Sequence, residues 1–175
     1  MKTIELAFSR AGIQDASQLV ELINSAYRGK SSRQGWTTEA DLLDGLRTDI
    51  EEIQSLLVNP DTLIIKCEAA GILVGSVRLQ YSGEQVEIGM FAVSPPLQGQ
   101  GIGKRLLSFA EQMALQTWPV NRLEMSVISC RKELIAFYER LGYRRTGICQ
   151  PFYLNPELWQ PKVSGLMLEF LEKQF

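Results

Sequence analysis

The stretch "EIGMFAVSPPLQGQGIGKRLLSFAEQM" (Glu87–Met113) changes its period in the middle, and that change decides the fold. Its first part closes a run, Glu84 to Val93, that reads as a strand ended by Ser94, Pro95 and Pro96. In its last part Ile102, Leu106, Phe109, Ala110 and Met113 fall at i, i+4, i+7, i+8 and i+11. That spacing is the buried stripe of an amphipathic helix. Between strand and helix stand Gly99, Gly101 and Gly103. A glycine-rich strand-to-helix turn suits a phosphate, because free backbone N–H groups and the helix N-terminus attract an anion.

Two familiar phosphate patterns fail here. The dinucleotide pattern G-x-G-x-x-G, started at Gly99, needs a glycine where Lys104 stands. It also belongs after a first strand, whereas several strands come earlier in this chain. The P-loop pattern fails at Gln98, where its first glycine should be, and at Arg105, where the magnesium-binding hydroxyl should be.

Outward from the turn, the periodicity predicts a β-α-α-β-β-β-α-β-α-β-β order, an α/β (α+β) domain with a mixed sheet spanning residues 1–175. Thr3–Ser9 is the expected first strand. Asp15 and Gln18 resemble a capping box before a helix bearing Leu19, Val20, Leu22, Ile23 and Tyr27. Arg28–Gly35 reads as a polar loop, and Thr38 with Asp41 as a second cap before a helix bearing Leu42, Leu43, Leu46 and Ile50. Strands over 62–70 and 71–82 form a hairpin around Ala70–Gly71. A strand over Arg122–Ser129, a helix over Lys132–Gly142 and late strands over 143–149 and 163–172 complete the order. Within "VEIGMFAV", strict alternation puts Glu87, Gly89 and Phe91 on one face and Ile88, Met90 and Ala92 on the other.

Composition narrows the chemistry. The 175 residues are 45% hydrophobic and 22% charged, with a formal net charge of −2. That balance fits a soluble globular chain and offers no general attraction for nucleic acid. No run approaches a membrane span, and "MKTIELAFSR" lacks the apolar core of a signal peptide, so the cytoplasm is the expected location. The three cysteines form no C-x-x-C pair. Histidine is absent, which excludes Ser-His-Asp and Cys-His nucleophile pairs and histidine-ligated metal; no metal is expected. Proton transfer falls to carboxylate, tyrosine, cysteine, lysine or water.

What the turn retains is Gln98-Gly99-Gln100-Gly101-Ile102-Gly103, a match to [QR]-x-x-G-x-[GA]. Downstream, "AFYERLGYRRTG" carries a tyrosine in a helix followed by a Leu-Gly-aromatic closing turn. With these two signatures in this order, the chain resembles the GNAT superfamily of acetyl-CoA-dependent N-acetyltransferases. The resemblance implies a single domain with a mostly antiparallel sheet flanked by about four helices. It implies that acetyl-CoA is the co-substrate, with its pyrophosphate on the N–H groups of Gly99, Gln100, Gly101, Ile102 and Gly103, with Gln98 beside it and with Lys104 and Arg105 as a pair of cations near its phosphates. Its pantetheine arm is expected along the backbone of Phe91, Ala92 and Val93, where two strands splay apart in the family. Tyr138 stands at the family's general-acid position. Glu87, on the strand entering the site, is the expected base, acting through water. Arg131 occupies the place of a common cofactor-binding asparagine, which leaves the contact there open between a phosphate and solvent.

The same resemblance makes residues 27–44 one wall of the acceptor site, with Tyr27, Trp36 and Glu39 as candidate contacts; its aromatic and carboxylate groups suit an organic ammonium ion, and Arg28 and Arg33 suit a carboxylate-bearing acceptor. The proline-punctuated loop with Phe152, Tyr153 and Trp159 is expected as another wall, a flap or a dimer contact. The expected reaction is direct acetyl transfer to a primary amine of a small, amino-acid-like or amine acceptor. Three alternatives stay open: a non-catalytic acyl-CoA-binding module, acetylation of a protein N-terminus or lysine, and a covalent route through Cys130. A homodimer is also left open.

Overall fold

The computed structural model describes residues 4–153 and 155–175. Seven strands form one twisted sheet: β1 (Ala7–Arg10), β3 (Thr62–Ala69), β4 (Ile72–Tyr81), β5 (Val86–Val93), β6 (Arg122–Ile128), β9 (Met167–Gln174) and β7 (Arg144–Pro151), in that spatial order. All neighbours run antiparallel except β5 and β6. Helices α1 (Ala16–Tyr27) and α3 (Ile50–Val58) cover one face, with Leu19, Ile23, Ile53, Met90 and Ala92 in the layer between. Helices α4 (Ile102–Thr117) and α5 (Lys132–Arg140) cover the other, over Ile88, Val93, Leu106, Ala110 and Ile135. No described helix is long and apolar enough to cross a membrane.

The expected order of elements holds, with local departures that have identifiable causes. Ala70 and Gly71 both have positive φ, the conformation of a tight two-residue hairpin turn. Asp15 does not form a box with Gln18; its carboxylate accepts from the Gly12 N–H at 2.8 Å and from Lys66 Nζ at 3.0 Å. The polar segment after α1 winds into a single turn, α2 (Gly29–Ser32).

The second long helix begins later than expected. Thr38 Oγ1 sits 2.5 Å from Ser32 Oγ and accepts from the Ala40 N–H, while the Asp41 carboxylate accepts from Arg33 at 2.7 Å. The chain then forms a short strand, β2 (Leu43–Gly45), and Asp49 supplies the cap of α3 by accepting from the Glu52 N–H at 2.8 Å. β2 pairs antiparallel with β8 (Trp159–Pro161), which ties the proline-punctuated loop to the segment before α3.

Two features of β5 prepare the site. Pairing with β6 extends only from Val86 to Ile88, after which the two strands splay. On the β4 side, Ser76 faces Ala92 and Arg78 faces Gly89, so β5 carries one extra residue. Met90 takes φ +47° at this bulge. The bulge overturns the strict alternation read from the sequence: Ile88 lies in the layer under α4 and α5, whereas Met90 and Ala92 lie under α1 and α3. Phe91 therefore shares Ile88's face and not Glu87's.

Candidate functional site

Pro95–Leu97 form a short 3-10 turn that stops β5, and the chain then passes through Gly99 (φ +78°) and Gly101 (φ +82°). The first hydrogen bond of α4 runs from the Arg105 N–H to the Gly101 carbonyl. Among the described residues nothing accepts from the backbone N–H groups of residues 99–104. A run of six free donors at a helix N-terminus is a site for anionic oxygen. It opens on a cleft of about 510 Å³ whose lining includes Gly99, Gly101, Gly103, Lys104 and Arg140.

The side chains around the turn divide into those that build it and those that face the cleft. Gln98 builds it: Nε2 donates to the Val93 carbonyl at 3.0 Å, and Oε1 accepts from the Thr37 N–H at 3.3 Å. Ile102 is buried in the core and Gln100 is exposed, and neither lines the cleft with its side chain. Arg105 turns away, stacking over Phe8 at 5.8 Å and donating to the Ile4 carbonyl. Lys104 is thus the cation of that pair that lines the cleft.

The cleft continues along Phe91, Ala92 and Val93, the part of β5 that β6 no longer pairs. Trp36 lines this cleft, with its ring centre 5.7 Å from that of Phe137. It does not line the second, smaller cavity of about 180 Å³. The two meet at Tyr27, Phe91, Arg131, Leu134 and Tyr138, which line both.

Tyr138 sits at this junction on α5, packed edge-on against Phe137 and Tyr143. Its hydroxyl has no hydrogen-bond partner among the described residues. Burial raises its pKa well above the ordinary phenol range, and Tyr27 adds to the shift while Arg131 opposes it. The group stays protonated at neutral pH. Tyr27 is raised in the same direction, again by burial first, with Arg47 opposing.

Arg131 is buried at the junction and caps α5. Its Nη1 lies 3.2 Å from Glu39 Oε1 and its Nη2 donates to Thr37 Oγ1 at 2.5 Å, while Nε makes no hydrogen bond and lies 3.7 Å from Glu133 Oε1. Glu39 Oε2 is taken in turn by Arg28 Nε at 3.2 Å. Both oxygens of this buried carboxylate are therefore committed. Breaking such a pair by removing one partner costs about 3–5 kcal/mol, so Glu39 is not free to receive an ammonium ion.

Glu87 differs. It lines the smaller cavity half-exposed, with Oε1 accepting from Arg78 and Oε2 without a partner among the described residues. Cys130 and Cys149 are exposed and line neither cavity. The structure thus brings the glycine turn, β5, Tyr138, Arg131, Tyr27, Glu39 and Glu87 around two connected cavities, and moves Trp36 from the acceptor side to the larger cleft. Arg28, which lies in the expected acceptor wall, lines the smaller cavity too, and sequence reading passed over Arg47 and Arg78, which join it there. Isolated arginines carry no local signal, because their convergence depends on the β2–β8 pairing and the bulge.

The acetyltransferase (GNAT) family profile matches residues 17–143. The S-alkylcysteine N-acetyltransferase of Bacillus subtilis (strain 168) is 24% identical over 177 aligned positions, covering 90% of this chain and 94% of that protein. The ribosomal-protein-S18-alanine N-acetyltransferase of Escherichia coli shares the fold with a TM-score of 0.73 at 15% identity, over 97% of this chain and 94% of that one. The PaiA N-acetyltransferase of Thermoplasma acidophilum, solved with coenzyme A, gives 0.67 at 17% identity, over 98% and 100%.

Proposed function

Because the chain belongs to the GNAT family of acetyltransferases, we propose that it transfers the acetyl group of acetyl-CoA to a primary amine of a small molecule. The observation that carries this reading is the run of six free N–H donors on a cleft that leads to a buried tyrosine. Residues 99–104 hold the pyrophosphate, with Lys104 beside it, and the unpaired edge of β5 at Phe91–Val93 runs along the pantetheine arm. The Bacillus subtilis relative, whose name gives S-alkylcysteine as acceptor, supports a small amino-acid-like acceptor in the smaller cavity.

In the transfer a C–N bond forms as the C–S bond breaks; the amine gives up one proton and the departing sulfur gains one. Tyr138 donates a hydrogen bond to that sulfur. A thiol near pKa 8.5 is a stronger acid than this buried phenol, so Tyr138 keeps its own proton, its hydrogen bond stabilises the departing thiolate, and water supplies the proton that completes the free thiol. Glu87, with an oxygen free, takes the amine's proton through water.

The test is release of coenzyme A thiol with a panel of small amines, for the wild type and Tyr138→Phe. The expected result is turnover with at least one amine and a kcat about 100-fold lower in the variant, with acetyl-CoA affinity measured by calorimetry little altered. Acetyl-CoA binding without thiol release from any amine overturns the reading in favour of a binding module. Unchanged turnover in Tyr138→Phe removes the tyrosine's role.

A further inference from the structure

The smaller cavity holds four arginines, Arg28, Arg47, Arg78 and Arg131, against two glutamates. Glu39 is shared by Arg28 and Arg131, and Glu87 pairs with Arg78. Arg47 has no carboxylate partner among the described residues, and its guanidinium donates to none of them. It is nevertheless held in place. Its guanidinium carbon lies 5.3 Å from the ring centre of Tyr27 and 5.3 Å from that of Trp159. Trp159 is itself fixed by β2–β8 pairing and by donating from Nε1 to the Arg47 carbonyl at 3.3 Å.

Stacking on two rings occupies the faces of a guanidinium and leaves its N–H edge for another partner. A planar carboxylate fits that edge with two parallel hydrogen bonds. Arg28 stands nearby, 5.1 Å from the same Trp159 ring, and adds positive charge; Arg47 is one of the groups lowering its pKa, behind burial. Much of the remaining wall is apolar, through Met125, Val127, Phe152 and Leu168. A plain alkylammonium ion entering this cavity meets a surplus of like charge and finds Glu39 already committed. A molecule that brings its own carboxylate beside the amine neutralises the surplus.

We propose that the acceptor is an α-amino acid with an uncharged, apolar side chain. Its carboxylate binds Arg47, its side chain lies against the apolar wall, and its amino group reaches the junction beside Tyr138. The assignment rests on the reading of this chain as an amine acetyltransferase, and it makes Arg47 the residue that selects the acceptor class.

The experiment compares S-methylcysteine with 2-(methylsulfanyl)ethylamine, the same skeleton without the carboxylate, by thiol release from acetyl-CoA. The expected wild-type preference in kcat/KM for the amino acid is about 100-fold or more. In Arg47→Gln that ratio falls at least about tenfold, chiefly through a higher KM for the amino acid, and Arg47→Lys retains part of it. Equal use of the two compounds, or a preference that survives Arg47→Gln, overturns this proposal and leaves the acetyltransferase reading standing. So does thiol release only with amines of other classes. Acetyl-CoA binding with no release from any amine overturns both. The wild-type comparison decides the matter by itself if the variants do not fold.

Discussion

Gly101 and Gly103 stand two positions apart in one turn, yet they are glycine for different reasons. Gly101 has φ +82° and caps α4, and an added Cβ there meets open space. Its requirement is conformational: an L side chain in the left-handed region costs about 1–2 kcal/mol. Gly103 lies inside the first helical turn, where a Cβ comes to 3.5 Å from Phe91, 3.7 Å from Val93 and 3.8 Å from Phe137, all ordinary contacts. Its backbone is already helical, so alanine adds helix propensity and loses no space. Urea unfolding should therefore show Gly101→Ala destabilised by about 1 kcal/mol and Gly103→Ala stabilised by roughly 0.5 kcal/mol. Shifts of the same sign would refute this division of roles. The motif thus contains one position that the geometry of the chain requires and one, Gly103, that lines the cleft and that stability does not require to be glycine. Gln98, its first member, is set by neither, since its amide holds the Thr37 segment against the end of β5.

The β2–β8 pair is the element that completes the smaller cavity. At Gly45, with φ +87°, an added Cβ would come within 1.9 Å of the Leu158 carbonyl oxygen. Gly45→Ala must push the strands apart and release Trp159 from its place beside Arg47. Two-substrate kinetics should then show a severalfold rise in the acceptor's KM with a much smaller change in that of acetyl-CoA. This pairing also marks the limit of what was legible in the sequence. Strand, glycine turn, α4 and the Tyr138 helix were readable because each is a local pattern: a period, a cap or a breaker. The helix expected from Thr38 was misplaced because Leu42, Leu43 and Leu46 fit a helical period, while Gly45 and the distant β8 favour a strand. Likewise, the Met90 bulge shows only against β4, and it alone reverses which side chains of β5 share a face. The larger cleft was therefore legible, and the smaller cavity, which brings together Arg47 and Trp159 from 112 positions apart, was not.

Burial across the whole molecule has a consequence at alkaline pH. Tyr138 and Tyr143 are both buried, and burial raises each phenol well above its ordinary value; in Tyr143 the Glu111 carboxylate, 2.8 Å away, adds to the effect. Below about pH 10 both are protonated in the folded and unfolded chain alike, and their contribution is fully present. Above it the unfolded chain releases protons that the native state retains, so stability falls by up to about 1.4 kcal/mol per pH unit for each. Unfolding free energy should thus drop by about 2 kcal/mol between pH 10 and pH 11, and Tyr143→Phe should reduce that drop by about half. A slope unaffected by the substitution would show that other groups dominate. The meeting of the two cavities carries a different consequence, for inhibition. A single molecule joining a coenzyme A moiety to an acceptor carboxylate through a short bridge at Tyr138 would fill both chambers at once. It would lose translational and rotational freedom only once, and so bind far more tightly than its two halves together.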